Sequence, residues 1–256
     1  MRHDTILSID ILCVGYIHSC MDTNASTIDA KSNVSLNKKS EQGQTTRHKI
    51  LAAAELVFFE KGVSASTLEI IAERAEVTRG AIYWHFKNKD EILNEVLDLA
   101  ANPLVEKFRE ILSQRKTPDI MTLRRASVAP MEMIARSATL RRRLAIGMLK
   151  CEYIQDNAPL MDKTRYHTEQ MTMLLVSYLK AMVAHDNSIS LVKPPHIVAE
   201  AFFCYWTGLL IQYLKHPERI SLVRKASDYA DVFLLPMVIQ RNVPISAMNH
   251  DFYKDK

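Results

Sequence analysis

The chain has 256 residues, 48% of them hydrophobic, which is enough apolar material for one or two domains with cores of their own, and its net charge of +4 is too small to identify a partner by itself. Only six glycines are present, and long segments rich in Leu, Ala, Glu, Lys and Met show little β-branched alternation, so the composition favours an all-α protein. The four cysteines are Cys13, Cys20, Cys151 and Cys204. They show no CxxC or Cys/His spacing, so they indicate neither a disulfide framework nor a zinc site. We expect buried helical thiols, and a single thiol sensor is the alternative.

Residues 1–44 are expected to lie outside the fold. Residues 6–17 are moderately apolar, but Asp10 interrupts the run and no small-residue cleavage site follows it. A span of about twelve residues is also too short to cross a bilayer. We therefore favour a native start further along the chain, at Met21, over a signal peptide or a membrane anchor.

The second half of this segment has a polar and basic composition. Residues 22–44 are rich in Ser, Thr, Asn, Lys and Gln, which is typical of a disordered tail. Between Lys31 and Lys49 there are five Lys or Arg residues and only one acidic residue, Glu41. Two interpretations stay open: a basic arm that follows a nucleic-acid backbone or enters its minor groove, and a solvated tail.

Residues 45–61 are predicted to form a helix. Its apolar residues follow a period of 3.6 and are expected to pack against the segment that follows: Ile50, Ala53, Ala54, Val57 and Phe58. Gly62 provides a C-terminal stop.

Two short helical patterns then follow between Ser66 and Lys89. The first has its apolar stripe at i, i+3, i+4 and i+7, and Ser66 or Thr67 can cap it: Leu68, Ile71, Ala72 and Ala75. The pattern breaks at residues 76–78 and resumes at residues 79–86, where Thr78 is the candidate cap and Ile82 and Phe86 share one face. Two short helices joined by so tight a turn predict a helix-turn-helix, whose second helix lies in the DNA major groove.

The charges of this second helix and its turn point to a polyanion. From Thr78 to Lys89 the only formal charges are Arg79, Lys87 and Lys89, and all three are positive. Cationic and aromatic side chains without a carboxylate among them suit phosphate contacts. The alternative is a solvated helical hairpin whose aromatic residues pack on a neighbour.

The sequence GVSASTLEIIAERAEV followed by TRGAIYWHFKNKDEIL resembles the DNA-binding segment of the TetR family of bacterial repressors. TRGAIYWHF with its lysine-bearing turn is similar to AcrR-type repressors of multidrug efflux pumps. The resemblance is close over residues 45–99 and looser beyond. It implies an all-α fold of about nine helices, with a helix-turn-helix head over residues 45–92, a ligand-binding and dimerisation bundle over 93–242, and a C-terminal tail over 243–256.

The resemblance also implies roles for individual head residues. Phosphate contacts fall to Thr67, Tyr83, His85 and Lys89, with Lys87 adding positive charge, and contacts to base edges or the groove wall fall to Thr78, Arg79, Gly80 and Trp84. The turn departs from the family pattern Ala-Gly-Val, because it has Glu76 in the place of glycine. If that position needs a positive φ, glutamate costs about 1 kcal/mol there and brings a negative charge towards DNA.

The body is predicted to contain six helices. The first, residues 90–114, begins with acidic residues that suit a helix N-terminus, and Pro103 either kinks it as a moving joint or marks a fixed bend or a boundary. Prolines divide the remainder into five spans: residues 119–138, 139–155, 160–185, 195–215 and 220–241. A basic cluster at one junction is interpreted as a solvated face rather than a DNA contact: Arg136, Arg141, Arg142 and Arg143.

The helix within residues 195–215 is apolar on two faces, and both must be buried. The family resemblance implies that one face lines a ligand pocket, with Phe203, Trp206, Thr207 and Leu210. It implies that the other face packs with the last helix against a symmetry mate, through Ala201, Tyr205, Gly208, Leu209, Tyr229, Phe233 and Met237. The segment Leu149 to Tyr153 is also similar to the AcrR subgroup, and the same alignment adds Leu144, Met148, Thr168, Met171 and Leu175 to the pocket. Plain core packing of both faces is the alternative.

These observations predict a cytoplasmic homodimeric repressor, without cofactor, metal or membrane, that binds palindromic double-stranded operator DNA. A small hydrophobic or aromatic effector is expected to release it, and the regulated operon is expected to encode a multidrug efflux pump. The alternatives are a regulator of lipid or other metabolism that senses an apolar metabolite, and a helical interaction module. An enzyme is disfavoured, since the sequence has no phosphate loop, HExxH motif or nucleophile elbow.

Overall fold

The computed structural model describes the backbone of residues 30–151 and 158–240, and the side chains of residues 43–151 and 166–237. The predicted start at Met21 and the tail over 243–256 lie outside the described residues. The helix predicted over residues 139–155 was predicted too long, since the helical backbone ends at Lys150 and Cys151 is extended. The described chain contains nine α-helices: α1 Ala30–Lys61, α2 Leu68–Ala75, α3 Arg79–His85, α4 Lys89–Ser113, α5 Ile120–Arg136, α6 Ala138–Ala145, α7 Ala158–His185, α8 Pro195–Lys215 and α9 Leu222–Met237. A π-helical turn, Ile146–Lys150, continues α6. The predicted all-α fold is confirmed.

One short antiparallel strand pair was not predicted. Strand β1, Ile189–Leu191, pairs with β2, Val238–Gln240, so that Ser190 lies opposite Ile239. The last helix was predicted to run to residue 241, and it ends earlier because Pro236 cannot donate in the helical ladder. The β-branched residues after it then extend and pair with β1.

The first helix begins well before its predicted start at Thr45. Its backbone is helical from Ala30, so residues 30–44 of the predicted disordered tail are helical. The polar composition of this stretch indicates only that it has no core of its own. It contains no proline, and a helix that has been nucleated extends at the cost of ordering one residue for each added bond. The predicted stop is confirmed, since Gly62 follows the helix with a φ of +80°.

Two hydrophobic cores organise the residues from Gly43 onward. The head core joins α1, α2, α3 and the first half of α4, and its fully buried side chains include Ile50, Phe58, Ile71, Ile82, Phe86 and Ile92. The body core is formed by α4 to α9 and includes Phe108, Leu123, Leu175, Leu179 and Phe202. Helix α4 contributes to both cores and continues through Pro103, which therefore does not mark a helix boundary.

Candidate DNA interface and ligand cavity

The turn between α2 and α3 is fixed by side-chain caps. The amide of Ile70 donates to Thr67 Oγ1 at 3.3 Å, and the amide of Ala81 donates to Thr78 Oγ1 at 3.2 Å. Thr67 therefore caps α2, whereas Ser66 is buried and donates to the carbonyl of Gly62 at 2.6 Å. Both caps satisfy amides that a helix start leaves unpaired.

Glu76 ends α2 in the left-handed region, with φ 54° and ψ 43°. It is the one residue other than glycine with a positive φ in the described chain. The amide of Val77 donates to the carbonyl of Ala72 at 3.0 Å, which completes a Schellman-type helix end. Strain at Glu76 was expected only if this position has a positive φ. It has one, so glutamate occupies a position that glycine would occupy without strain.

Replacing Glu76 with glycine is expected to stabilise the protein by about 1 kcal/mol. Glycine removes the strain of a left-handed L-residue, roughly 1 to 2 kcal/mol, but part of this gain is offset because glycine also makes the unfolded chain more flexible. Chemical denaturation measures the difference. Glu76→Gln is the matched control, because it removes the charge and keeps the strained side chain. Equal stability of the glycine and glutamine variants would contradict the strain argument.

Helix α3 buries one side only. Ile82 and Phe86 are fully buried, whereas Tyr83 is 49% and Trp84 81% exposed. Most of the predicted DNA contacts are exposed in the free protein: Thr67, Thr78, Arg79, Gly80, Tyr83, Trp84 and Lys87. His85 and Lys89 are half-buried. A Cβ on Gly80 would meet Thr78 Oγ1 at 3.9 Å, which is ordinary van der Waals contact, so packing against the described residues does not require glycine at this position.

Arg79 is held in place by two neighbours on the exposed face. Its Nη2 lies 2.9 Å from Glu69 Oε1, and it donates to Tyr83 Oη at 3.4 Å while the guanidinium lies over the tyrosine ring. The bond to Tyr83 and the charge of Glu69 both raise the pKa of Arg79 above its usual value. The sequence did not predict Glu69 as a partner, although the spacing of the two helices puts it on the same surface.

Lys89 has a structural contact in addition to its predicted role. Its Nζ donates to the carbonyl of Val63 at 2.7 Å, across the loop between α1 and α2. The side chain of Asn88 caps α4 by accepting from the amide of Glu91 at 2.9 Å. An ammonium group has three donors, so the bond to Val63 leaves two for a phosphate.

An apolar cavity of about 150 Å³ lies in the body core. It is lined by α4, α5, α7, α8 and α9, through Leu104, Phe108, Ala126, Ser127, Pro130, Met131, Ile134, Met171, Phe202, Phe203, Trp206, Leu209, Leu210 and Leu222. None of these lining side chains carries a charge. A charged group placed there would lose its hydration without gaining an ion-pair partner, so the cavity favours a neutral compound.

Four of the nine predicted pocket residues line this cavity: Met171, Phe203, Trp206 and Leu210. The other five lie elsewhere. Leu175 is fully buried in the body core, Leu144 packs against that core, Met148 lies on the π-helical turn, and Thr168 and Thr207 are exposed. The walls contributed by α4 and α5 were missed, because their apolar stripes indicate burial without telling which side of the core faces an opening.

The cavity has two polar groups. Ser127 Oγ donates to the carbonyl of Leu123 at 2.8 Å, which leaves its oxygen free to accept. Trp206 Nε1 is buried and has no hydrogen-bond partner among the residues that the structure describes. A buried donor left without an acceptor is costly, so a ligand that reaches this nitrogen with an acceptor gains affinity.

The second face of α8 is apolar and largely uncovered. By length and mean hydropathy α8 could span a membrane, yet only 22% of its most apolar window is buried within the chain. Ala201, Cys204 and Gly208 are exposed, and no atom of the described part of the chain lies within 4 Å of a Cβ placed on Gly208. On α9, Val232 is exposed as well. Among the described residues, it is the strip formed by Ala201, Cys204 and Gly208 that is left uncovered.

The predicted interface residues divide into two groups. Ala201 and Gly208 are on the exposed face. The others already have contacts within the chain: Leu209 lines the cavity, Met237 is buried, Tyr205 donates to the carbonyl of Tyr229 at 2.9 Å, and the Tyr205 and Phe233 rings stack.

The two described cysteines differ in environment. Burial raises the pKa of the Cys151 thiol to about 11, so it stays protonated and unreactive at neutral pH. Cys204 is exposed on α8. Among the described residues, no group of three or more His, Cys, Asp or Glu side chains could hold a metal ion.

Comparison with known proteins agrees with this architecture. Residues 50–96 match the model for bacterial regulatory proteins, tetR family. The probable acrEF/envCD operon repressor of Escherichia coli (strain K12) is 38% identical over 203 residues, which cover 77% of this chain and 89% of that protein.

Two solved structures share the fold. The crystal structure of NalD, the secondary repressor of the MexAB-OprM multidrug efflux pump in Pseudomonas aeruginosa, has a TM-score of 0.67 and 28% identity, over 77% of this chain and 98% of that one. The SmeT–triclosan complex has a TM-score of 0.67 and 26% identity, over 78% of this chain and 95% of that one. SmeT is the repressor of the Stenotrophomonas maltophilia efflux pump SmeDEF. The chain therefore belongs to the TetR family of bacterial regulatory proteins.

Proposed function

We propose that this protein is a cytoplasmic homodimeric repressor of a multidrug efflux operon, released from a palindromic operator when a compact neutral compound fills the body cavity. One observation carries the DNA-binding half of the proposal: α3 buries Ile82 and leaves Arg79, Tyr83 and Trp84 exposed, with no acidic residue on the helix. Folding does not require large aromatic side chains at exposed positions. A phosphate backbone and groove wall supply a partner for them.

The cavity supports an effector of limited size. Ligand pockets commonly enclose about 300 to 1,000 Å³, and this cavity has about 150 Å³. Its apolar walls and the unpaired indole N–H of Trp206, the one such donor among the described lining residues, fit a compact aromatic or aliphatic compound with one hydrogen-bond acceptor. The named relatives are regulators of efflux pumps, and one of them binds triclosan. They support efflux control over the alternative, the sensing of a lipid metabolite.

Repression needs neither catalysis nor a cofactor. Two recognition helices about 34 to 36 Å apart, or slightly more, reach successive major grooves of a palindrome. An effector that binds better to the protein with its heads further apart shifts the population away from the DNA-bound form.

Selection of bound fragments from genomic DNA, with and without a panel of drugs that includes triclosan, tests the proposal. We expect enrichment of a palindrome beside a transporter operon, and loss of that enrichment with at least one neutral compound. Enrichment beside lipid-metabolism genes would favour the alternative. Binding that is independent of sequence and of every compound would contradict the proposal.

Trp206→Ala is expected to weaken effector binding by about 1 to 3 kcal/mol without changing operator affinity in the absence of effector. Trp206→Phe keeps an aromatic ring and removes only the indole N–H. It should therefore weaken effector binding by about 1 kcal/mol if the effector accepts a hydrogen bond from that nitrogen. Calorimetry measures both. The only other tryptophan, Trp84, provides the control, because Trp84→Ala should weaken DNA binding alone. Loss of dimerisation in Trp206→Ala would instead place Trp206 at the subunit face.

A further inference from the structure

The two hydrophobic cores meet along α6 and its π-helical turn. Leu140 belongs to the body core, whereas Ile146 is fully buried in the head core and Cys151 packs against that core. The amide of Val63 in the head donates to the carbonyl of Lys150 at 3.2 Å. A short segment of the body is therefore built into the head, and the transition takes place between Leu140 and Ile146.

A buried carboxylate lies at this transition. Glu55, on α1, has a side chain only 5% exposed, and its two oxygens contact different arginines of α6. Arg142 Nη1 donates to Glu55 Oε1 at 2.9 Å, and Arg143 Nε donates to Glu55 Oε2 at 2.8 Å. Arg143 also donates to the carbonyl of Leu99 on α4 at 3.4 Å. We call Glu55, Arg142 and Arg143 the junction triad.

The neighbouring Arg141 connects α6 to the cavity wall. Its Nη1 donates to the carbonyl of Ile134 at 3.1 Å and to the carbonyl of Ala135, at the end of α5. Ile134 lines the cavity. Three consecutive arginines thus join the cavity wall on one side and the head on the other. Of the predicted basic cluster, only Arg136 lies on a solvated face, and the interpretation is wrong for Arg141, Arg142 and Arg143.

We infer that the junction triad positions the DNA-binding head on the body and passes displacement of the cavity wall to it. The role of the triad in operator release rests on the proposed function, whereas its role in positioning the head rests on geometry alone. A carboxylate buried against two arginines cannot separate from both of them without leaving a desolvated charge unpaired. The head therefore moves with α6 as one body, and the coupling follows packed and hydrogen-bonded contacts that are continuous in space.

Glu55→Gln tests the positioning without DNA or effector, because the amide keeps the size of the side chain and removes its charge. Spin labels at Glu73→Cys on α2 and Ala181→Cys on α7, with the native cysteines replaced by serine and labelled chains diluted with unlabelled protein, report the head-to-body distance. We expect a narrow distance distribution for the parent and at least twice its width for Glu55→Gln. Glu132→Gln is the matched control, since Glu132 pairs with Arg136 within α5 and the change removes an equal charge, so the width of its distance distribution should equal that of the parent.

Operator affinity supplies the functional test. Glu55→Gln is expected to bind operator at least fivefold more weakly, and Glu55→Asp, which keeps the charge, to recover most of the loss. If Glu55→Gln does not fold, Arg142→Gln replaces it with the same expectations, since Arg143 still pairs the carboxylate. If a folded variant has the same width of the distance distribution as the parent, the triad does not position the head. If the parent protein does not bind DNA, the proposed function is refuted. The comparison of distance-distribution widths would still decide whether the triad positions the head.

Discussion

Replacing Ala201 with glutamate is expected to produce a folded monomer whose operator affinity is lower by at least roughly a hundredfold, because linked half-site binding commonly contributes 10²- to 10⁴-fold. Ala201 is exposed in the free chain. It lies on α8, a helix of high mean hydropathy of which only 22% of the most apolar window is buried within the described chain. The substitution therefore leaves the fold of the single chain intact. In a two-fold dimer the substitution enters the interface twice, so each subunit would bury an unpaired carboxylate against its partner.

Sedimentation velocity and DNA binding by the same preparation check this result. Ala181→Glu is the matched control, since Ala181 is an exposed alanine on α7, outside the predicted interface, and should remain dimeric. A dimeric Ala201→Glu protein with full operator affinity would show that α8 does not form the subunit contact. Aggregation of both variants would indicate a general effect of the added charge instead.

Sequence reasoning was most accurate where short-range geometry decides the outcome. Thr78 caps α3 and Gly62 follows the end of α1, because both depend on backbone groups a few residues away. The strain at Glu76 was expected on the condition of a positive φ, because the resembling family has glycine at that position, and the φ of 54° meets the condition.

Prediction failed where distant parts of the chain meet. The partners Arg142 and Glu55 are 87 residues apart, so the local composition around the arginines could not reveal the buried carboxylate. Thr207 follows Trp206 and was placed on its face, yet Trp206 borders the cavity and Thr207 is exposed. A helical stripe is wide, and only the neighbouring helices decide which of its residues reach an opening.

Tyr83→Ala is expected to weaken operator binding by about 1 to 3 kcal/mol while effector affinity is preserved. The ring is half exposed and lies beneath Arg79, which donates to its hydroxyl. Truncation removes a phosphate donor and also the stacking surface that orders Arg79 before DNA arrives. Tyr83→Phe keeps that surface, so it should lose only the part that the hydroxyl contributes, about 1 kcal/mol.

The salt dependence of binding separates this contact from an ionic one. Tyrosine releases no counterion, so Tyr83→Ala should leave the slope of log affinity against log salt unchanged, whereas Lys87→Ala should reduce its magnitude by about 1. Tyr166→Ala is the control, since Tyr166 is an exposed tyrosine of α7 and should leave operator affinity unaltered. Lys89→Ala is a less specific test, because it also removes the bond to the carbonyl of Val63 and should lower thermal stability. Parent-like affinity of Tyr83→Ala at low and high salt would remove Tyr83 from the DNA interface and leave Arg79, Gly80 and Trp84 as its exposed candidates on α3.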